Sequence, residues 1–377
     1  MATELLPDTQ RTSADPMPVH GIDHLELYVG NAAQAAYFYT HAYGFTETAY
    51  KGLETGSRTS VSRVLEQGRI RLVLTGTLTG EDEIADHHHH HGDGVITIAL
   101  SVPDATAAYE YATAHGARGL RTPYTEQDEH GSVTLASVAT YGETRHLFVQ
   151  RDAYDGPFLP GYVARGDRAK ATSGENLLLG IDHVVGNVGL GHMNEWVHYY
   201  ERVFGMTELI HFTEEAISTE YSALMSKVVT DGSGKIKFPI NEPAEGKRKS
   251  QIEEYLDFYR GAGVQHLALS TRNIVEAVTT LSANGVEFLP IPESYYADVP
   301  ERVGPIEEDL ADLQRLGILV DKDEEGYLLQ IFSKAVGDRP TVFFELIERH
   351  GARGFGEGNF KALFEALERE QDLRGNL

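Results

Sequence analysis

The chain is written twice. Gly21-Ile-Asp-His24-Leu-Glu-Leu-Tyr-Val29 returns as Gly180-Ile-Asp-His183-Val-Val-Gly-Asn-Val188. Gly92-Asp-Gly-Val-Ile-Thr-Ile-Ala-Leu-Ser101 returns as Gly261-Ala-Gly-Val-Gln-His-Leu-Ala-Leu-Ser270. Each copy of the first segment precedes a helical stretch that ends at glycine, 32–43 before Gly44 and 193–204 before Gly205. Each copy of the second leads into an N-cap residue, a helix and a closing glycine, Asp104 to Gly116 and Asn273 to Gly285. A period of ~160–170 residues is too long for a stacked solenoid and indicates two related domains.

Within each half a strand, a helix and several strands are followed by the same unit again. Strands are expected at 22–29, 70–75, 95–102, 133–138 and 145–149. In the second half they are expected at 181–188, 221–229, 235–240, 264–271, 327–333 and 341–347. The fold class that follows is α+β, with helices outside curved, mixed sheets. The expected division is a tail at 1–18, a domain at 19–152, a Gly-, Pro- and charge-rich linker at 153–178, and a second domain at 179–377. A last helix is expected over 359–370, capped by Asn359, with Phe360, Leu363, Phe364 and Leu367 on one face. The glycines between Gly351 and Gly358 can hinge it, so it reads as a lid or as a docked terminal helix.

At 377 residues the chain can fill two cores. No apolar run approaches ~18 residues, so no membrane span is expected, and the first residues lack the basic and apolar regions of a secretory signal. The absence of cysteine fits a reducing, cytoplasmic setting. A net charge of −25 argues against nucleic-acid partners, which need a basic footprint. An anionic substrate would have to be held by local groups, and a metal is the natural anchor.

Chemistry concentrates in the second copy. Thr341-Val-Phe-Phe-Glu345-Leu-Ile347 reads as a buried strand with a carboxylate at its centre, which is costly without a partner. Strand alternation sets His183, His266 and Glu345 each among apolar neighbours. In the first copy His183 corresponds to His24, His266 to Thr97, and Glu345 is expected to correspond to Phe148, so only one of three candidate ligands is kept. Two histidines and a carboxylate with open positions suit non-heme Fe(II) oxygen chemistry or a catalytic zinc. The ordinary alternative is two satisfied histidines and a glutamate paired with arginine. The run His87 to His91 reads as a solvated loop that binds metal adventitiously.

The second half carries GIDHVVGNV (180–188), FPINEP (238–243), KSQI (249–252), GVQHLALST (263–271), GYLLQIF (326–332), FFELIERHG (343–351) and GFGEGNFKALFEALE (354–368). With these the chain resembles the 4-hydroxyphenylpyruvate dioxygenase family over nearly its whole length. The resemblance implies a vicinal-oxygen-chelate fold of paired βαβββ modules, with a terminal lid helix. It also implies Fe(II) as cofactor on His183, His266 and Glu345, with O2 as cosubstrate. The implied reaction takes a small aromatic 2-oxo acid, 4-hydroxyphenylpyruvate, to homogentisate and CO2 in tyrosine and phenylalanine catabolism. Ser222, Asn241, Gln251, Gln265 and Gln330 match the polar substrate-side positions, with Asn241, Gln265 and Gln330 as the catalytic candidates. Pro239, Phe332, Phe343, Phe355, Asn359, Phe360 and Leu363 match the wall and the closing helix. Glu357 departs from the pattern, standing where the family often has lysine. A hydroxymandelate synthase is the nearest rival, against which Phe332 and Pro239 weigh. A metal-dependent isomerase or hydrolase, or an aromatic-binding module, is more distant. A homodimer or homotetramer is expected, built on the half that lost its ligands.

Overall fold

The computed structural model describes residues 17–172, 175–212, 223–244, 246 and 248–376. The first half contributes β1 (Gly21–Tyr28), β2 (Thr46–Lys51), β3 (Ser60–Gln67), β4 (Ile70–Thr77), β5 (Gly94–Ser101), β6 (Gly119–Asp128), β7 (Gly131–Ala139), β8 (Arg145–Gln150) and β9 (Val163–Ala164). The second contributes β10 (Leu178–Asn187), β11 (Thr207–Phe212), β12 (Ala223–Thr230), β13 (Lys237–Ala244), β14 (Gly263–Thr271), β15 (Leu319–Lys322), β16 (Tyr327–Phe332) and β17 (Phe343–His350). Their orders are β6-β7-β8-β5-β1-β4-β3-β2-β9 and β11-β12-β13-β10-β14-β17-β16-β15.

The two orders are the same motif used twice. In each module the first strand lies parallel to the fourth, β1 with β4, β5 with β8, β10 with β13 and β14 with β17. In each half the two first strands pair antiparallel at the sheet centre. This is the expected α+β arrangement of paired βαβββ modules in curved mixed sheets. Strands β2, β3, β6, β11 and β15 escape a reading of hydrophobic runs because they are short, polar or open to solvent. Gly119–Asp128, mostly exposed and containing Pro123, is the clearest case.

Helices pack on the backs of the sheets, and one apolar core runs through both halves. The halves trade the same contact. Tyr39 and Tyr43, from the first half, lie against Phe344 of β17 with ring centres 5.8 and 5.0 Å apart. Tyr200 and Phe204, from the second, lie 5.6 and 4.9 Å from His146 of β8. Met17 and Val19 are buried in this core, while residues 1–16 lie outside the described chain. The stretch read as a linker is also structural. Phe158 and Leu159 are buried with Val133, Leu135 and Val149, and β9 pairs with β2.

The histidine run is not a solvated loop. It ends a helix, Glu83–His91, capped by Asp82 accepting from the Ala85 N–H, and it buries His87 and His91. Helical geometry brings residues four apart onto one face, which a run of identical residues conceals from a hydrophobicity reading. Among the described residues no helix is long and apolar enough to cross a membrane.

His146 gives this core a pH dependence. Its Nδ1 faces the Ile98 carbonyl, so that nitrogen carries the proton, and Nε2 accepts from the Tyr200 hydroxyl at 2.8 Å. Burial pushes its pKa down to about 4. The unfolded chain then binds the proton first, so stability present above pH ~6.5 is lost as pH falls towards 4, by on the order of 3 kcal/mol. Urea midpoints measured across that window should fall less steeply in His146→Phe, which installs the residue type of Phe344, the equivalent position.

Candidate active site

Three strands at the centre of the second sheet bring the candidate ligands together. His183 sits on β10, where the pairing with β14 slips between Ile181 and His183, a bulge that re-aims the side chain. His266 lies on β14, and Glu345 on β17 beside Ala268. The His183 Nε2 is 3.1 Å and the His266 Nε2 3.3 Å from the same Glu345 oxygen. All three side chains are buried. Adjacent donor atoms about 3 Å apart are what one ion with bonds of about 2 Å requires.

The surrounding groups fix which atoms face inward. His183 Nδ1 is 2.8 Å from Asp182, and His266 Nδ1 is 2.9 Å from the Gln265 side-chain oxygen. These acceptors put the ring protons on Nδ1 and leave both Nε2 lone pairs for a metal. Arg349 grips Asp182 through Nε and a terminal nitrogen, both at 2.8 Å, and Lys237 stands 3.4 Å away. Burial alone would raise the Asp182 carboxyl, but Arg349 and Lys237 outweigh it and hold it well below the usual range. Burial would likewise raise Glu345, yet His183 and His266 hold it at about 2. Burial would lower His183, but Glu345 and Asp182 raise it; for His266 burial prevails and its pKa falls. The site is therefore an ionised carboxylate facing two imidazoles, a donor set that fits a divalent ion.

A concave, largely apolar cavity with a few convergent polar groups opens from the triad. Pro239, Asn241, Gln251, Gln265, Gln330, Phe332, Phe343, Phe355, Phe360 and Leu363 all line it. Asn359 stands behind this wall, donating to the Gln330 side-chain oxygen at 3.0 Å. Ser222 lies outside the described residues. The hydroxyl that lines the cavity is Ser226, paired with Asn241 across β12 and β13. Its pairing with Asn241, not a local pattern, is what identifies it. Val185, Leu224, Val228, Phe364 and Leu367 also line the cavity and were not expected there.

Gln330 serves as a tie. Its amide nitrogen donates to Glu345 at 2.9 Å and to the Phe355 carbonyl at 3.1 Å, so its donors are directed at the ligand and the closing segment. The last helix, Glu357–Leu373, follows Gly356, whose φ of 76° lies in the left-handed region. A Cβ there would come within 2.1 Å of the Gln330 oxygen, so only glycine lets the segment approach. The helix lies docked, with Phe364 and Ala366 buried. Its far end is held by Arg374 on Glu254. Glu357 opens it, and the Glu357 side chain lies outside the described residues.

The first half repeats the same scaffold. Arg151 grips Asp23 through two nitrogens at 2.8 and 2.6 Å, and Asp23 holds His24 Nδ1 at 2.6 Å. Phe158 lies edge-on to His24 with ring centres 5.0 Å apart, as Phe355 does to His183 at 5.0 Å. Arg151 also donates to the Phe158 carbonyl, and Arg349 to that of Gly354. The equivalence corrects the expected alignment by one residue. Leu147 pairs with Ala99 as Glu345 pairs with Ala268, so Leu147, not Phe148, occupies the position of the third ligand. Phe148 instead lies in the shared core. Matching Phe148 to Glu345 lined up Thr144 with Thr341 and ignored the inward and outward alternation that fixes register.

The Glyoxalase/Bleomycin resistance protein/Dioxygenase superfamily model matches residues 21–136 and 180–331, one stretch in each half. The 4-hydroxyphenylpyruvate dioxygenase of Dictyostelium discoideum is 49% identical over 368 residues, 95% of this chain and 100% of the relative. That of Danio rerio is 48% identical, covering 94% of this chain and 91% of the relative. A solved structure of a substituted 4-hydroxymandelate synthase from Streptomyces coelicolor superposes with a TM-score of 0.83 at 32% identity, covering 94% of this chain and 100% of that one. Sequence, duplicated fold and buried triad agree, and the chain belongs to the 4-hydroxyphenylpyruvate dioxygenase family of this superfamily.

Proposed function

We propose that the chain is an Fe(II)- and O2-dependent dioxygenase that converts 4-hydroxyphenylpyruvate to homogentisate and CO2. The observation that carries this reading is the buried His183, His266 and Glu345 set opening onto an aromatic-walled cavity. A ferrous ion held there would anchor the 2-oxo acid and supply the oxygen activation. The chain's own groups do the rest. Phe332, Phe343, Phe355 and Phe360 bound the ring space. Ser226, Asn241, Gln251 and Gln265 offer neutral hydrogen-bonding groups that orient a phenol and a keto acid without competing for the ion's charge. The docked last helix excludes water from the cavity, and we assign it the role of a lid. Gln330 holds Glu345 in place while tying it to that lid.

Benzylic oxidation to hydroxymandelate is the second reading, favoured by the fold match at 32% identity. It stands behind the dioxygenase reading, which the 49% identity and the presence of Pro239 and Phe332 in the cavity wall support. With Fe(II) and substrate, CO2 release should match O2 uptake one for one and stop when O2 is removed or Zn(II) replaces iron. Turnover without oxygen would instead indicate an isomerase or hydrolase. We also assign the chain to the cytoplasm and to a homodimer or homotetramer; a clean monomer by light scattering would overturn the latter.

A further inference from the structure

A second cluster of metal-ligating groups lies away from the triad strands. His87 and His91, one helical turn apart on Glu83–His91, are 1% and 6% exposed, and their ring centres are 4.6 Å apart. Glu143, in the turn between β7 and β8, brings one carboxylate oxygen to 2.9 Å from His87 Nδ1 and 3.3 Å from His91 Nε2. One nitrogen of each ring and a Glu143 oxygen all lie within 4.8 Å of one another.

The protons at this cluster are constrained. His91 Nδ1 is hydrogen-bonded to the Tyr259 carbonyl, which only accepts, so that nitrogen carries the hydrogen. Its Nε2, 3.3 Å from an anionic oxygen, needs a cation between the two, either a proton or a metal ion. The Nε2 atoms of both histidines are buried without a hydrogen-bond partner among the described residues. His91, whose other nitrogen donates to a backbone carbonyl, is oriented as metal-ligating imidazoles usually are. The third group of this kind, Glu308, Glu348 and His350, differs: Glu348 is engaged by the Ile274 N–H, and His350 lies against both carboxylates.

We propose that His87, His91 and Glu143 form a second divalent-metal site, of the zinc class, on the first half at its joint with the second, where it would brace the helix that the second half packs against. Two imidazoles and one carboxylate are the zinc-type donor set, with the remaining position left to water on the exposed side of Glu143. The joint is built from both halves. The His91 ring lies 4.5 Å from Tyr259 of the second half, at the end of the Gln251–Tyr259 helix whose first residue lines the catalytic cavity. Arg339 of the second half reaches the His90 and His89 carbonyls of the same helix. Metal binding here is expected to stabilise the joined halves and to leave the triad free for its own ion.

The test removes the triad first. A His183→Ala/Glu345→Ala protein, stripped of metal and titrated calorimetrically with Zn(II), should bind one equivalent and melt at a higher temperature; the unsubstituted protein should bind two. Adding Glu143→Gln, at a half-exposed position where folding is not threatened, should abolish the remaining equivalent and the thermal shift, as should His91→Ala. Adding His89→Gln/His90→Gln, which removes exposed rings of the same run, should change neither. No binding by the triad-deleted protein would mean that a proton alone joins His91 to Glu143 and would overturn the proposal. Binding lost with His89 and His90 but kept in Glu143→Gln would also overturn it, as surface chelation. Neither result would touch the triad, whose loss is read separately in the unsubstituted protein.

Discussion

Replacing Glu345 by alanine is expected to abolish turnover and to cost more metal affinity than the 10–100-fold typical of an outer-shell partner. Glu345 is the one anionic donor of the cluster, and both Nε2 atoms face the same one of its oxygens. Without it two buried imidazoles remain, and Gln330 loses the acceptor that positions it. The fold should survive, because Leu147 occupies the equivalent place in the first half with a purely apolar side chain. Iron content after dialysis and CO2 release from substrate measure the two effects. Undiminished CO2 release would refute the ligand assignment.

The second large effect is expected from Arg349→Met. Removing one partner of a buried ion pair costs roughly 3–5 kcal/mol when the other charge is left alone; here Asp182, which orients His183, keeps Lys237 at 3.4 Å, so the loss should fall towards the lower end. The variant should therefore lose both stability and about 10–100-fold in iron affinity. Arg151→Met provides the control within the same molecule. It strands Asp23 in the same geometry beside His24, in a half that lacks the other two ligands. It should lower the urea midpoint, somewhat less because Arg151 is more exposed, and leave iron affinity unchanged. Equal losses of iron affinity in the two variants would show that the arginines act only through global stability.

Much of this was legible in the chain because it is duplicated. The repeat of Gly-Ile-Asp-His exposed the first strand of each half, and the loss of His266 and Glu345 equivalents from the first copy marked the second as the chemical one. What was lost was register and exposure. Phe148 was matched to Glu345 because the last strands of the two copies share little sequence, and only pairing across the sheet fixes Leu147 as the counterpart. Ser226 was passed over because it lies in a polar-flanked run, and its strand pairing with Asn241 brings its hydroxyl to the cavity. The function of 153–164 was hidden for a different reason. Its glycines and prolines read as a linker, whereas Phe158 packs edge-on against His24 as Phe355 does against His183. The buried pair His87 and His91 was invisible because a run of five histidines has no hydrophobic period. Each of these features depends on residues brought together by folding, which no local pattern records.

The site is thus built on one of two copies of the same scaffold, the copy that carries all three ligands. Its central claim is that this cavity directs oxygen to the aromatic ring. The most direct measurement incubates the iron-loaded protein with 4-hydroxyphenylpyruvate under isotopically labelled O2 and identifies the product chromatographically and by fragmentation, because the two candidate products are isomers. The expected product is homogentisate with both labelled oxygen atoms and one CO2 released; labelled hydroxymandelate would contradict the account.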